Sequence, residues 1–156
     1  GEAFEASGFH ITPFGVPHDS SDNVGYSIEY EGVVFTLLTD VGHITEEMKA
    51  IIRNTDYLVI EANYDLQMLQ NGPYPRHLQE RIQCGTGHLS NAQCGAALVE
   101  NYTERLKHIW LCHLSEENNH PELARKSIEQ ALSDAGIKVK LDVLRRKQPT
   151  GVFELV

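Results

Sequence analysis

The order of the apolar runs along the chain limits the folds that it can adopt. The first third of the sequence is rich in β-branched and aromatic residues, which favour strands. Strands are predicted over Phe9–Val16, Val24–Tyr30 and Val33–Leu38. Glu31 and Gly32 separate the last two runs and predict the tight turn of a β-hairpin. The chain is therefore expected to begin with antiparallel strands.

Helix signals alternate with further strands in the remaining sequence. Tyr57–Ile60 and His108–Cys112 are continuously apolar, as expected of strands that are buried on both faces. Helices are predicted after Thr45, from about His77 to Ile82, from Ser90 or Asn91 to about Glu104, and from Pro121 to near Gly136. Closing strands are predicted over Val139–Leu144 and Gly151–Leu155. Residues 1–156 are thus predicted to form a single α/β domain, in which helices cover a mixed β-sheet.

Composition and charge exclude several classes of protein. The 156 residues suffice for one globular domain, and their longest apolar runs are far too short to span a bilayer. The formal net charge of −9 argues against a broad nucleic-acid-binding surface, although bound metal ions could supply positive charge locally. Cys84, Cys94 and Cys112 form no CxxC pair and fit free thiols. We therefore predict a cytoplasmic protein without a membrane segment.

Polar residues directly follow several of the predicted strands. His18 and Asp40 follow two strands of the first third, Glu61 follows the run that ends at Ile60, and His113 follows Cys112. Strand ends at one edge of such a sheet converge, and histidine with carboxylate is a ligand set for zinc, manganese or iron. Each residue could instead stabilise a turn or a helix cap. Spacing alone therefore suggests a metal site without establishing one.

The Gly-His-Leu-Ser-Asn segment at 87–91 is a second candidate for site chemistry. Ser90 or Asn91 opens a helix there, and the free N–H groups of a helix N-terminus can bind an anion. His88, held beside it, could give a proton to a leaving oxygen. An ordinary helix cap with an incidental histidine explains the same residues equally well.

Seven blocks of sequence resemble a known family. In chain order they are Val-Pro-His-Asp (16–19), Val-Gly-Tyr-Ser-Ile (24–28), Thr-Asp-Val-Gly (39–42), Ile-Glu-Ala-Asn-Tyr-Asp (60–65), Gly-Pro-Tyr-Pro (72–75), Gly-His-Leu-Ser-Asn (87–91) and His-Leu-Ser-Glu-Glu-Asn-Asn (113–119). This series resembles the C-terminal half of the bacterial WalJ (YycJ) type of metallo-β-lactamase-fold hydrolase. That family is related to ribonuclease Z-type nucleases and is associated with DNA exonuclease activity.

The resemblance implies a role for each site residue. His18 and His113 resemble histidines that each bind one metal ion, and Asp40 resembles the aspartate that bridges two. His88 resembles the histidine that contacts the scissile phosphate or protonates the leaving group, and Glu61 an acid that orients it. The remaining residues are implied to line the site or bind phosphate: Ser90, Asn91, Asn63, Asp65, Asn118 and Asn119.

The sequence departs from the family pattern in one respect. The His-x-His-x-Asp-His motif that supplies the family's first ligands is absent from the sequence. We therefore expect the chain to be the C-terminal half of an αββα sandwich, with the complementary N-terminal half as its partner. A half sandwich would expose the apolar sheet face that packs on that partner. Alone, the chain is expected to be inactive.

For the complete protein, the resemblance implies a metal-dependent phosphodiesterase or nuclease. Two divalent ions, zinc first and manganese or iron as alternatives, would activate a bridging hydroxide that attacks the phosphodiester. The implied substrate is nucleic acid, with DNA favoured over RNA. Alternatives are a small-molecule metallo-hydrolase on the same fold and a non-catalytic binding module formed by the half-domain. A homodimer also remains open.

Overall fold

A single mixed sheet forms the centre of the computed structural model, which describes residues 1–155. Within that range the chain forms seven strands and five helices. The strands are β1 (Phe4–Ala6), β2 (Phe9–Gly15), β3 (Val24–Tyr30), β4 (Val33–Leu38), β5 (Tyr57–Glu61), β6 (His108–Cys112) and β7 (Lys140–Val143). They lie side by side in the order of the sequence. The predicted α/β fold with a mixed sheet is confirmed.

The direction of pairing changes at β4. Strands β1 to β4 form an antiparallel meander, whereas β5, β6 and β7 each pair in parallel with the preceding strand. Glu31 and Gly32 join β3 to β4 with φ values of 49° and 80°, as a two-residue hairpin turn requires. Because β2 runs parallel to β4, the carboxyl ends of β2, β4, β5 and β6 meet at one edge of the sheet.

Capping residues set the limits of the helices. The helices are α1 (Glu46–Arg53), α2 (Leu66–Asn71), α3 (Arg76–Gln83), α4 (Asn91–Asn101) and α5 (Pro121–Asp134). The Thr45 hydroxyl accepts the Met48 N–H at the start of α1, as predicted. Pro121 opens α5, and Gly136 lies just beyond its end with φ of 72°. Within residues 1–155, no helix is long and apolar enough to cross a membrane.

The two faces of the sheet bury different side chains. Helices α1, α4 and α5 pack on one face, where Met48, Leu98 and Ile128 meet alternate residues of the central strands. On the opposite face, Tyr57, Val59, Trp110 and Cys112 form a second apolar cluster. The continuous apolar runs of β5 and β6 are thus explained, because both faces of these strands are covered.

Several predicted limits differ from the structure. The predicted strand Gly151–Leu155 is wrong, because these residues form no regular secondary structure. Their apolar side chains pack instead on the helix-free face, where the Phe153 ring lies 5.0 Å from that of Trp110. That face was expected to be exposed, yet Trp110 is only 3% exposed. Helix α4 ends at Asn101 rather than Glu104, because Tyr102 is extended.

Candidate metal centre

The predicted site residues converge at one edge of the sheet. Asp40 lies two residues beyond β4, Glu61 is the last residue of β5, and His113 follows β6 directly. His18 lies shortly after β2, whose carboxyl end is at the same edge. Parallel strands and their loops therefore bring together four side chains that are far apart in the sequence.

The Asp40 carboxylate is the centre of this cluster. Its Oδ1 lies 3.6 Å from His18 Nε2, 3.7 Å from His113 Nε2 and 3.9 Å from His88 Nδ1. The His88 ring centroid lies 4.9 Å from that of His18 and 5.3 Å from that of His113. One carboxylate oxygen and three imidazoles thus share a volume that suits a metal ion.

The orientation of two imidazole rings fits metal ligation. His18 Nδ1 lies 2.9 Å from the Gly87 carbonyl, and His113 Nδ1 lies 2.8 Å from Glu61 Oε2. Because both partners are acceptors, each Nδ1 carries the proton and donates it. The lone pairs of His18 and His113 are then on Nε2, which faces Asp40. Metal-binding histidines are typically held in this way by a carbonyl or carboxylate behind the ring.

Glu61 joins the separate parts of the cluster. Its side chain is fully buried; Oε1 accepts the Leu89 N–H at 2.9 Å and His88 Nδ1 at 3.1 Å. Oε2 accepts the Asp40 N–H at 2.7 Å and His113 Nδ1 at 2.8 Å. Burial raises the pKa of Glu61, but the hydrogen bonds from His113 and His88 outweigh it and hold the pKa below its usual value. The bond to Glu61 also raises the pKa of His113.

Two groupings of these residues could hold a metal. Ligand atoms of Asp40, Glu61, His88 and His113 all lie within 4.8 Å of one another. Glu61, however, already accepts two hydrogen bonds on each oxygen, so it has no lone pair left for a metal. His88 Nδ1 is likewise bonded to Glu61, so the ligands that remain are Asp40, His113 and His18, whose Nε2 faces Asp40. The donor set of two imidazoles and a carboxylate suits a divalent transition metal.

His88 presents its other nitrogen to a cleft. Since Nδ1 is bonded to Glu61, Nε2 is the nitrogen that can meet a molecule from outside. The ring is among the residues that line a cleft of about 460 Å³ beside the cluster, together with His18 and Asn63. A histidine held by a buried carboxylate and open to a cleft can transfer a proton.

The backbone is strained at two of the candidate ligands. Asp40 and His113 have φ values of 56° and 55°, in the left-handed region that non-glycine residues seldom adopt. Asn63 Nδ2 donates to the His113 carbonyl at 2.8 Å and so supports this conformation. Such strain persists only where the surroundings enforce it, and it occurs frequently at functional sites.

A network of buried asparagines underlies the cluster. Asn91 and Asn119 exchange two amide hydrogen bonds, of 3.0 Å and 2.8 Å. Asn119 Nδ2 also donates to the carbonyls of Ala62 and Asn63, and Asn118 Nδ2 contacts Ser115 Oγ at 3.3 Å. The amides therefore link the loop after β5, the start of α4 and the loop after β6, rather than facing the cleft.

The other predicted phosphate-binding groups are engaged within the protein. The start of α4 is a capping box, in which Ser90 and Gln93 bond each other's side chain and backbone. The Leu89 N–H is bonded to Glu61 and the Asn91 N–H to the Tyr64 carbonyl. Asp65 Oδ1 caps α2 by accepting the Met68 N–H at 3.0 Å. These N–H groups therefore stabilise the loops in this structure.

Sequence reasoning missed the groups that hold the cluster in place. The Gly87 carbonyl behind His18 and the Leu89 N–H on Glu61 are backbone atoms, and the sequence carries no sign of where such atoms point. It also missed Asp19, whose Oδ1 lies 3.5 Å from His18 Nε2 and whose Oδ2 accepts Arg81 Nε at 2.5 Å. The His-Asp pair at 18–19 was the only available signal.

Comparison with known proteins identifies relatives of this chain. It is 36% identical over 129 residues to exodeoxyribonuclease YycJ of Bacillus anthracis, covering 83% of the chain and 49% of the relative. It is 39% identical over 132 residues to exodeoxyribonuclease WalJ of Streptococcus pneumoniae, covering 85% of the chain and 49% of the relative. The chain therefore spans about half the length of the curated relatives it matches.

Structural similarity agrees with the sequence matches. The metallo-β-lactamase fold protein YhfI from Bacillus subtilis superposes with a TM-score of 0.66 at 15% identity, over 92% of this chain and 49% of that one. Residues 1–109 match the family described as the β-lactamase superfamily domain. The resemblance inferred from the seven sequence blocks is thereby confirmed, and the chain belongs to the metallo-β-lactamase superfamily.

Proposed function

We propose that the chain supplies half of the active site of a metal-dependent phosphodiesterase that degrades DNA as an exonuclease. The observation that carries the proposal is the approach of His18 Nε2 and His113 Nε2 to one oxygen of Asp40. His88, open to the adjoining cleft, adds a group that can move a proton. The names of the relatives, both exodeoxyribonucleases, support DNA as the substrate.

The other half of the site would come from a second segment. His18, Asp40 and His113 offer too few ligands for two metal ions of four or more ligands each. The relatives are about twice as long as the stretch matched here, which supports a complete protein that carries both halves. The missing ligands would come from a His-x-His-x-Asp-His motif in that N-terminal half.

The residues of this chain would divide the chemistry among them. Two divalent ions, when bound, would lower the pKa of the attacking water and offset charge on the phosphate oxygens. His18 and His113 would bind one ion each, and Asp40 would lie between them. Imidazole and carboxylate favour zinc, with manganese and iron as alternatives.

Proton transfer to the leaving oxygen is assigned to His88. Its Nδ1–H is held by Glu61 at 3.1 Å, so Nε2 is positioned in the cleft as the donor to substrate. The hydrogen bond to the buried Glu61 carboxylate holds the ring in one orientation. Asn63 lines the same cleft and secures the His113 backbone.

A cytoplasmic location is proposed for the protein. Cys84, Cys94 and Cys112 are all free thiols. Burial raises the pKa of Cys112 to about 12, which makes that thiol unreactive. Thiols that form no disulfide are typical of a reducing compartment.

A small phosphodiester is the second candidate substrate. The net charge of −9 disfavours a long polyanion, and a cleft of about 460 Å³ is large enough to enclose a small molecule. Rapid turnover of small cyclic phosphodiesters with none of DNA would favour this alternative. A complete protein that folds, binds no metal and hydrolyses neither substrate would favour a non-catalytic binding module.

The decisive experiment compares two aspartates in the complete protein. Asp40→Asn should abolish DNA hydrolysis and lower the metal content measured by mass spectrometry, because an amide cannot bridge two cations. Asp22→Asn is the matched control, since Asp22 also has a left-handed backbone, with φ of 58°, and lies outside the cluster. Unchanged turnover and metal content in Asp40→Asn would contradict the proposal.

A further inference from the structure

One wall of the cleft has no role in the chemistry assigned so far. It is formed by the Gly-Pro-Tyr-Pro segment at 72–75 and by α3, which contribute Tyr74, Leu78, Arg81 and Ile82 to the lining. The opposite wall carries Arg146, which is bonded to Glu116 and to the Leu114 carbonyl. The cleft is continuous with His18 and His88, so anything bound along this wall would lie beside the metal cluster.

The wall carries three aromatic or apolar side chains. Tyr74, Leu78 and Ile82 are all half-buried, and α3 buries none of its residues completely. Apolar and aromatic side chains left partly open in a cleft, with a few polar groups around them, are typical of ligand sites. A flat aromatic group such as a nucleobase matches this surface, because every base has an apolar face that stacks.

Tyr74 is held rigidly at the start of this wall. Prolines flank it on both sides, and Gln79 Nε2 donates to its carbonyl at 2.9 Å. A side chain at Gly72 would come within 2.6 Å of the Met68 carbonyl and 2.8 Å of Asn118 Oδ1, so only glycine fits there. A side chain on a fixed backbone is ordered by a ligand at a lower entropic cost than one on a mobile loop.

Arg81 adds a positive charge to the same wall. Its Nε donates to Asp19 Oδ2 at 2.5 Å, and the side chain is 65% exposed. Because this bond uses only Nε, the two terminal nitrogens of the guanidinium can face an acceptor. Two parallel N–H donors match a phosphate group. The wall therefore pairs a stacking surface with a phosphate donor, which is the chemistry of a nucleotide.

We propose that Tyr74 and Arg81 form a subsite for one nucleotide of a single DNA strand, next to the phosphate that is cut. Tyr74, with Leu78 and Ile82, contacts the base, and Arg81 binds a phosphate that is not cleaved. This subsite rests on the proposed nuclease function. It would make the enzyme prefer a DNA strand to a small phosphodiester. The cleft volume of about 460 Å³ fits a nucleotide rather than a duplex.

A structural role for Arg81 makes a different prediction. An exposed ion pair with Asp19 would contribute little to stability, and its loss would act only through Asp19 on the position of His18. In that case every substrate would be affected alike. A subsite, in contrast, affects only substrates that are long enough to reach it.

Binding is measured first, on the complete protein, with a fluorescein-labelled single-stranded oligonucleotide in buffer that contains a chelator. Tyr74→Ala and Arg81→Ala should each weaken binding about tenfold, and Tyr74→Phe should bind as the wild type does, because it keeps the ring. Arg81→Ala should also reduce the slope of log affinity against log salt by about 0.7, the loss of one phosphate contact. Arg76→Ala is the matched control, since Arg76 is on the same helix but pairs with Glu80 outside the cleft.

Measurements of kcat and KM then distinguish a role in binding the nucleotide from a role in the reaction. On the oligonucleotide, Tyr74→Ala should raise KM with little change in kcat, and on bis(p-nitrophenyl) phosphate both constants should stay at the wild-type values, since Tyr74 lies outside the cluster. Equal losses on both substrates, or binding by Tyr74→Ala and Arg81→Ala equal to wild type, would overturn the subsite. If the protein cuts no DNA but binding still depends on Tyr74 and Arg81, the nuclease proposal fails and the subsite stands.

Discussion

Glu61 shows how one side chain can determine the geometry of several others. It accepts four hydrogen bonds, from the backbone of Asp40 and Leu89 and from the rings of His88 and His113. Each oxygen is therefore fixed by two donors, and the carboxylate remains charged although it is fully buried. The positions of a candidate ligand, a candidate proton donor and a strained backbone all depend on this residue.

Replacing Glu61 with glutamine should be costly although the two side chains have nearly the same shape. One oxygen becomes an NH₂ group, which would point at two N–H donors and leave them unpaired. The expected loss in free energy of unfolding is about 2–4 kcal/mol, measured by urea denaturation. Glu47→Gln, on the exposed face of α1, should change it by less than about 0.5 kcal/mol. A loss as small in Glu61→Gln would contradict the role described.

Sequence reasoning located the side chains of the cluster but not their supports. His18, Asp40 and His113 could be found because each follows an apolar strand, and parallel strands place their ends together. The Gly87 carbonyl and the Leu89 N–H could not, since every residue has these groups and only the fold determines their direction. For Ser90, the sequence left two interpretations open, a phosphate-binding group and an ordinary helix cap, and its hydroxyl is engaged in a capping box with Gln93.

At the scale of elements, the asparagine network reinforces loops that backbone hydrogen bonds already connect, among them Asn63 N–H to the Leu89 carbonyl and Ser115 N–H to the Asn63 carbonyl. Asn119, after β6, bonds the loop after β5 through two carbonyls and the start of α4 through Asn91. The network is buried, so water cannot replace a missing amide easily. The loops that carry Glu61, His88 and His113 are thus expected to move as one body.

Asn119→Ala should test this coupling. It removes the side-chain donor to the Ala62 carbonyl and to Asn91 Oδ1, whereas the Asn63 carbonyl keeps the Ser115 N–H. The expected cost is about 2–3 kcal/mol in free energy of unfolding. Asn71→Ala is the control, because Asn71 Nδ2 donates a single exposed hydrogen bond within α2. Hydrogen exchange should show faster opening of all three loops in Asn119→Ala. Opening confined to the loop after β6 would argue against coupling.

Some elements follow from local signals and others depend on packing. Helices α1 and α5 were predictable, because Thr45 and Pro121 mark their starts chemically. Helix α2 was missed since its six residues, Leu66–Asn71, are too few for an apolar period to be recognised. The segment 151–155 was wrongly predicted as a strand, because Phe153 and Leu155 are apolar residues two positions apart. In the structure these side chains pack on the sheet face, and the segment does not pair with a strand.

At the scale of the whole molecule, the helix-free sheet face is closed by a cluster of rings. His108 stacks on Trp110 at 3.7 Å between centroids, and Phe153 meets both rings edge-on. His108 Nε2 contacts Asp142 Oδ2 at 2.9 Å, and Asp142 also binds Arg125 of α5. The cluster therefore connects the closing segment, the central strands and a helix from the other side of the sheet.

This cluster should make stability depend on pH. Burial lowers the pKa of His108 from 6.5, although the hydrogen bond to Asp142 opposes the shift. The unfolded chain then binds a proton more readily than the folded one, so His108 costs no stability above pH 6.5 and an increasing amount as the pH falls below it. In urea denaturation, the decline below pH 6.5 should be shallower for His108→Gln than for the wild type.

The exposed His77 provides the control for this measurement. His77→Gln on α3 should leave the wild-type pH dependence unchanged, because His77 is open to solvent. The raised pKa of His113 changes the stability with pH in the opposite direction. The contribution of His108 is therefore taken from the difference between each variant and the wild type. Parallel curves for His108→Gln and the wild type would mean that the buried ring does not titrate in this range.

The left-handed backbone at Asp40 and His113 has a consequence for how such a sequence can evolve. Glycine, asparagine, aspartate and histidine enter this conformation more often than other residues do. The proposed metal ligation requires a carboxylate at position 40 and an imidazole at position 113. At each position, very few amino acids both adopt this backbone conformation and bind a metal. Substitution at either position is therefore limited both by the backbone and by metal ligation. If a lineage lost catalysis, only the backbone limit would remain, and glycine or asparagine would be expected there first.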